Sequence, residues 1–146
     1  MCVAENDDQL QECFDGAKQY REVKVRGKLF VTHSNFNINH SINIVGQQDA
    51  MIKGVGGSHF LLNVKGENVS IYLSNVYFQG IQIVKAEHIK VGLISVNNCT
   101  SQATTDSSVL LKSNVSEVAV SLKGSNFIDS TNYVLSNEVE DIRSKD

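Results

Sequence analysis

The sequence of 146 residues lacks several patterns that would indicate particular classes of protein. It has no excess of basic residues, since 13 Lys and Arg against 16 Asp and Glu give a net charge of −3, which argues against a nucleic-acid partner. No apolar run approaches the roughly 20 residues that a membrane-spanning helix needs, so we expect no membrane insertion by this segment. The start MCVAENDDQL lacks the basic and apolar regions of a signal peptide. Either the protein is intracellular, or Met1 begins a fragment of a longer chain.

Motifs for metal binding and nucleophilic catalysis are also missing from the sequence. No cysteines have CxxC spacing, no histidines have HxH or HExxH spacing, and no GxSxG turn occurs. We therefore expect no metal site and no cofactor. We interpret the four histidines as corner or surface residues: His33, His40, His59 and His88. The glycine-rich stretch at 54–57 precedes a predicted strand rather than a helix, which favours a flexible corner over a phosphate-binding loop.

Convergent carboxylates, which polysaccharide lyases and hydrolases need for acid–base chemistry or Ca²⁺ binding, are scarce on the predicted strands. The best set is Glu67, Glu87 and Glu117, which precede equivalent strands and could form a ladder along one edge. Because none of the three has a paired Asp or Arg, we interpret them as solvated corner residues. The sequence thus leans against an enzyme and indicates no catalytic residue.

Three cysteines occur, at Cys2, Cys13 and Cys99. Their odd number and spacing favour free thiols, because cysteine is often buried as a small hydrophobic residue. A disulfide between two of them remains an alternative in an oxidising compartment, and the sequence does not indicate which two.

The segment 7–20 has convincing helical periodicity. Its apolar residues recur at i, i+3, i+4 and i+7, on one face: Leu10, Cys13, Phe14 and Ala17. An Asn or Asp at 6–8 can act as the N-cap, whereas Gly16 weakens the last turn. A single short amphipathic helix must be covered by something else, so we predict a packing element rather than a membrane-binding helix.

After Arg21 the apolar period changes from 3.6 to 2, and the chain continues as short strands rich in Val, Ile and Leu. Three kinds of strand recur in the same order, roughly every 20 to 29 residues. The first kind comprises 41–46, 68–73, 88–93 and 117–122, the second 60–64, 81–84, 109–112 and 133–136, and the third 50–54, 75–79, 93–97 and 125–129.

A repeating cycle of three short strands predicts an all-β fold, namely a parallel β-helix of about four to five coils with strands about 4.8 Å apart. No coil can bury its apolar face alone, so the helix at 7–20 is expected to cap the first coil. We predict one domain over 1–146, with coils over 22–136, a corner loop at 98–108 and a charged tail at 137–146. The alternative is an antiparallel sandwich or jelly roll, but no Asn-Gly or Asp-Gly loop joins two alternating strands.

The stretch SNFNINHSINIVG at 34–46 is predicted to span two strands of the first complete coil. Its apolar residues are expected to point into the core: Phe36, Ile38, Ile42 and Ile44. The alternating asparagines are then a wet outer face and corner residues, not a binding site in themselves.

The succession DDQLQECFDGA, EVKVRGKLFV, INIVGQQDAMIKG and NVSIYLSNVYF resembles the opening of right-handed β-helix domains of the pectin-lyase-like superfamily. The resemblance covers about residues 7 to 136 and implies a right-handed β-helix with a short N-terminal capping helix. Members of that superfamily usually have more coils, so it also implies that the chain is the N-terminal part of a longer β-helix. Many members are polysaccharide lyases or hydrolases, but the matching motifs specify the architecture and bring no catalytic residues with them.

Four Asn-x-Ser/Thr sequons fall at predicted strand edges or corners, where a glycan can be tolerated. Their asparagines are candidate N-glycosylation sites: Asn39, Asn68, Asn98 and Asn114. They favour a secreted or cell-surface location, although Asn and Ser are also the turn residues that a β-helix needs.

Tyr72 and Tyr77 are the candidate stacking platforms for carbohydrate. We expect a non-catalytic extracellular or cell-surface β-helix segment with a structural or recognition role. Its expected partners are carbohydrate or another protein domain that covers the C-terminal coil. The alternative is a fragment of a polysaccharide lyase or glycoside hydrolase whose catalytic residues lie outside this chain. An ice-ordering surface would need a regular row of threonines, which the outward positions do not supply.

Overall fold

The computed structural model of the protein describes residues 2–15, 21–32, 36–55, 60–102, 108–112, 114–128, 135–137 and 143–145. One helix and thirteen strands lie in these ranges. In chain order they are β1 Cys2–Ala4, α1 Asp7–Asp15, β2 Glu22–Val31, β3 Phe36–Ile38, β4 Ile42–Gly54, β5 Phe60–Ser74, β6 Tyr77–Gln79, β7 Gln82–Asn97, β8 Thr100–Gln102, β9 Val109–Leu111, β10 Val118–Ser121, β11 Asn126–Ile128, β12 Leu135–Asn137 and β13 Arg143–Lys145.

Every pairing between the described strands is parallel, and the pairings form three ladders that we call sheets A, B and C. The long strands β2, β4, β5 and β7 bend and contribute to two sheets each. Sheet A contains 2–4, 22–26, 42–47, 69–74, 92–97, 118–121 and 143–145. Sheet B contains 28–31, 51–54, 77–79, 100–102 and 126–128. Sheet C contains 36–38, 60–64, 82–86, 109–111 and 135–137.

The chain therefore visits sheets A, B and C in turn and completes about five turns. This confirms the predicted parallel β-helix of four to five coils with one short N-terminal helix, and it excludes the antiparallel sandwich. The right-handed sense of the coil stays a prediction.

The core is a set of apolar rows that run along the axis, because inward side chains of successive turns lie above one another. On sheet A, Ile42, Ile71 and Ile94 are paired in this way and are at most 2% exposed. The rows of sheet C begin at Phe36 and Ile38, which are also buried. The inward positions predicted within 34–46 are thus confirmed. Each turn buries its apolar face against its neighbours, so the stacked turns stabilise one another.

The register of the third coil differs from the predicted one. The segment 88–93 was aligned with 68–73, whereas the structure pairs Ile71 with Ile94 and leaves Val91 42% exposed. The segment 93–97 accordingly belongs to sheet A rather than to the third kind of strand. The third kind in this turn is β8, which lies inside the predicted corner loop at 98–108.

Strand β8 brings a polar residue into the core. Ser101 pairs with Phe78 on one side and Phe127 on the other, and it is 1% exposed. Its hydroxyl oxygen is buried and has no hydrogen-bond partner among the described residues. A strand of sequence TSQ has no apolar residue at its inward position, which explains why periodicity does not reveal it.

The first turn is capped by α1, as predicted. Asn6 is the N-cap, since its side-chain Oδ1 accepts a hydrogen bond from the backbone N of Gln9 at 2.9 Å. Leu10, Cys13 and Phe14 are buried beneath the helix. The ring of Phe14 meets that of Phe36 edge-on, with centroids 4.9 Å apart.

Further differences concern the ends of the chain. A disulfide joins Cys2 of β1 to Cys13 of α1, so the expectation of free thiols holds for Cys99 and is wrong for the other two. Residues 16–20 of the predicted helix lie outside the described residues, as do 138–142 of the predicted charged tail. Within that tail, Arg143–Lys145 adds strand β13 to sheet A beside β10.

The corner between sheets A and B, which we call the A–B corner, uses left-handed backbone conformations. They occur at Gly27 (φ 77°), Asp49 (φ 57°), Asn75 (φ 59°), Asn98 (φ 52°) and Gly124 (φ 69°), one in each turn. Glycine adopts such φ values without strain, and asparagine does so more readily than most residues. Backbone hydrogen bonds continue through the corner, from Asn75 N to the carbonyl of Asn97 at 3.3 Å and from Asn98 N to that of Lys123 at 3.2 Å.

Ser101→Ala should leave the free energy of unfolding unchanged or raise it by up to about 1 kcal/mol, because it removes a buried hydroxyl that has no partner. Ser125→Ala is the matched control. The hydroxyl of Ser125 donates to the carbonyl of Val96 at 2.7 Å and accepts from Cys99 N at 3.2 Å, so its loss should cost about 1–3 kcal/mol. Urea unfolding followed by circular dichroism measures both values. Equal destabilisation by the two substitutions would contradict this account of Ser101.

Candidate functional site

Three of the four sequon asparagines lie along one edge of the β-helix. This edge, the C–A corner, joins sheet C to sheet A through 39–41, 65–68, 87–91, 112 and 114–117. Asn39, Asn68 and Asn114 are exposed there, in different turns, while Asn98 is exposed at the A–B corner. The predicted placement at strand edges or corners is thus confirmed, and their use as glycosylation sites stays a prediction.

Asn114 differs from the other two because its amide is engaged with the preceding turn. Its Oδ1 accepts a hydrogen bond from the backbone N of His88 at 2.9 Å, and its Nδ2 lies 3.2 Å from Nε2 of the same residue. His88 has a left-handed backbone with φ 53°. The Asn114 side chain therefore supports this strained corner, and a sugar on Nδ2 would compete with its contact to the imidazole.

The two candidate stacking residues lie on different sheets, because the chain turns at Asn75 between them. Tyr72 points outward from sheet A and is 42% exposed. Tyr77 is half-buried on sheet B, where its hydroxyl donates a hydrogen bond to Oε1 of Gln102 in the next turn. Tyr72 thus presents a free aromatic surface, whereas Tyr77 is part of an inter-turn contact.

Small uncharged side chains surround Tyr72. Asn43 and Ser95 are its direct partners in the neighbouring turns, and Ser70 and Ser74 are the adjacent outward residues on its own strand. We call these five residues the Tyr72 platform. Asn43, Ser70 and Ser74 are partly exposed, so they bring one amide and two hydroxyl groups to the surface around the ring, whereas Ser95 is only 5% exposed beneath it. This combination of an aromatic face and short hydrogen-bonding groups suits a neutral carbohydrate.

The three glutamates of the predicted carboxylate ladder all lie at the C–A corner and differ in their surroundings. Glu87 lies between two lysines, with its carboxylate oxygens 3.5 Å from Nζ of Lys65 and 3.5 Å from Nζ of Lys85. Glu67 and Glu117 are exposed at the same corner. Glu87 is therefore an ion-pair partner that joins two turns. In the part of the chain that the structure describes, no cluster of three His, Cys, Asp or Glu could hold a metal ion.

The histidines lie partly outside the described residues. His33 and His59 are among those not described. His40 and His88 both lie at the C–A corner, as the corner interpretation predicted. The described helix is too short to cross a membrane.

The cysteines place a covalent link at the cap and a thiol in the core. Burial raises the pKa of the Cys99 thiol to about 11, although contacts with the backbone of Val76 and Asn75 act in the opposite direction. Its Sγ donates to the carbonyl of Asn97 at 3.4 Å. Cys99 is therefore a neutral core residue rather than a nucleophile, and the Cys2–Cys13 disulfide is of a kind found mainly in oxidising compartments.

Comparison of the chain with models of known protein families, with curated proteins and with solved structures gives no significant match. The assignment of the fold therefore depends on the strand pairing itself.

Thiol labelling should distinguish the two cysteine environments. With a pKa of about 11, roughly one part in a thousand of Cys99 is thiolate at pH 8, so iodoacetamide should not label the native protein. Denaturation without reductant should expose one thiol per chain, and denaturation with reductant should expose all three. Mass spectrometry counts the adducts. Three adducts without reductant would show that the disulfide is not formed.

Proposed function

We propose that the chain is a non-catalytic extracellular or cell-surface β-helix segment that contacts carbohydrate through the Tyr72 platform. The observation that carries this proposal is the exposed ring of Tyr72, whose neighbours on sheet A are small and uncharged. Sugars are bound by stacking of their apolar face on an aromatic ring and by hydrogen bonds to their hydroxyl groups. The platform offers both kinds of contact.

The proposed location is supported by two features of the chain. The Cys2–Cys13 disulfide persists most readily outside the reducing cytosol. Four exposed sequon asparagines supply attachment points for glycans, which secreted and cell-surface proteins carry. We also propose kinship with the pectin-lyase-like superfamily, many of whose members act on polysaccharides, and this kinship would fit a carbohydrate ligand.

A further protein domain over the last turn is the second partner in this proposal. Among the described strands, β11, β12 and β13 each pair on one side only, with β8, β9 and β10 respectively. Open strand edges favour pairing with another chain or domain, and proteins usually cover them.

Tyr72→Ala should weaken binding to a neutral glycan by about 5- to 10-fold, because it removes roughly 1 to 1.4 kcal/mol of stacking. Tyr72→Phe should retain affinity, since stacking uses the ring and not the hydroxyl. Tyr77→Phe, which alters the other tyrosine on sheet B, is the matched control and should bind as the wild type does. A glycan array selects the ligand, and isothermal titration calorimetry measures the dissociation constants.

Two results would contradict the proposal. Unchanged affinity of Tyr72→Ala would remove the platform from the binding site. Release of products from acidic polysaccharides that persists through purification would instead favour the lyase or glycoside hydrolase alternative.

A further inference from the structure

A polar groove of about 440 Å³ lies where the end of α1 approaches the start of the C–A corner. Phe14 of the helix lines one part of it, and Asn39, Asn63 and Lys65 from the first two turns line another. A volume in this range is typical of sites that hold a small ligand. The groove is separate from the Tyr72 platform, with which it shares no residue.

One of the amides that line the groove has an oxygen without a hydrogen-bond partner among the described residues. Asn63 donates from Nδ2 to Oδ1 of Asn37 in the preceding turn at 3.2 Å. The Oδ1 of Asn63 is buried and has no hydrogen-bond partner among the described residues. Buried acceptors without a partner destabilise a folded protein, so a ligand that donates a hydrogen bond to this oxygen after a small rotation of the amide would stabilise the site.

Other lining residues supply different kinds of contact. His40 holds Nδ1 3.1 Å from the carbonyl of Ser41, so Nδ1 donates that hydrogen bond and Nε2 is left as the second polar atom of the ring. Lys65 contributes an ammonium group that is half exposed. Phe14 forms part of an apolar wall, although it is only 6% exposed, and Asp15 adds a carboxylate. Donors, acceptors and an apolar patch in one groove are the requirements for holding a sugar residue with an acetamido group.

Asn39 is both a lining residue of this groove and the first residue of the sequon Asn39-His40-Ser41. A sugar bonded to its Nδ2 therefore starts at the wall of the groove. Because the attachment is covalent, the contacts are intramolecular and act at an effective concentration in the millimolar range, so even weak contacts suffice. We propose that Asn39 carries an N-linked glycan and that the groove holds its first N-acetylhexosamine residue.

The modification itself is a glycosyl transfer by the transferase of the secretory pathway. Its donor is an oligosaccharide linked to a polyprenyl diphosphate. The bond between Asn39 Nδ2 and C1 of the first sugar forms, the bond between C1 and the diphosphate oxygen breaks, and Nδ2 loses one proton while the polyprenyl diphosphate leaves. The proposal depends on the extracellular location in the proposed function and not on the Tyr72 platform.

Asn68 provides an internal comparison, since it lies on the same corner and does not line the groove. The experiment expresses the protein through the secretory pathway of a eukaryotic host and measures occupancy of each sequon by glycopeptide mass spectrometry. Peptide:N-glycosidase is then added to the native protein. The Asn39 glycan should be released about tenfold more slowly than the Asn68 glycan, a ratio equivalent to 1.4 kcal/mol of protection. Denaturation should abolish the difference.

Asn63→Ala tests the groove directly, because it removes an amide that lines it. In this variant release from Asn39 should accelerate several-fold while release from Asn68 stays unchanged. If the variant does not fold, the rates of glycan release from Asn39 and Asn68 in the wild-type protein still test the proposal. An unoccupied Asn39, or release from Asn39 at the rate of Asn68, overturns the proposal. If all four sequons are unoccupied, the proposed extracellular location is overturned as well. Unchanged glycan affinity of Tyr72→Ala would contradict the Tyr72 platform and would not affect the proposal for the groove.

Discussion

Hydrogen bonding between successive turns is the interaction on which the rest of the structure depends. Each inner strand finds its backbone partners one turn earlier and one turn later, at a spacing of about 4.8 Å. That spacing places chemically similar residues above one another, such as Ile42, Ile71 and Ile94 in the core and Asn37 and Asn63 on the surface. The corners vary in length without disturbing this spacing, because a longer connection adds little loop-closure entropy cost. The core, the Tyr72 platform and the groove beside α1 all follow from the same inter-turn register.

Alternating apolar residues were sufficient to predict the fold class, since a cycle of three strand types leaves few architectures. They were not sufficient to predict the register of the third coil. Residues 88–96 contain two overlapping alternations that differ in phase by one residue, one through Ile89 and Val91 and one through Ile94 and Val96. A shift of one residue exchanges the two faces of a strand, and pairing with Ile71 selects the second alternation. Strand β8 escaped prediction for the opposite reason, because its inward residue is Ser101 and carries no apolar signal.

The sequence indicates which residues are candidates for a site, but it does not indicate which of them lie close together in space. Sequons and tyrosines are visible in the sequence, but their grouping depends on where each turn crosses a corner. Tyr72 and Tyr77 are close in sequence and lie on different sheets, whereas Asn39 and Asn63 are far apart in sequence and line the same groove. The pairing of Cys2 with Cys13 likewise depends on the fold and not on their spacing in the sequence. Cys2 and Cys13 meet because β1 joins sheet A and α1 folds back over the first turn, which their spacing alone does not indicate.

The covalent link between Cys2 and Cys13 also determines how the molecule transmits tension. Hydrogen bonds between turns run along the axis of a β-helix, so a pull along that axis opens them turn by turn rather than all at once. Force entering at the N-terminal side passes from one sulfur to the other and reaches the chain beyond most of α1. The chain between the two cysteines therefore cannot extend under tension while the disulfide is intact.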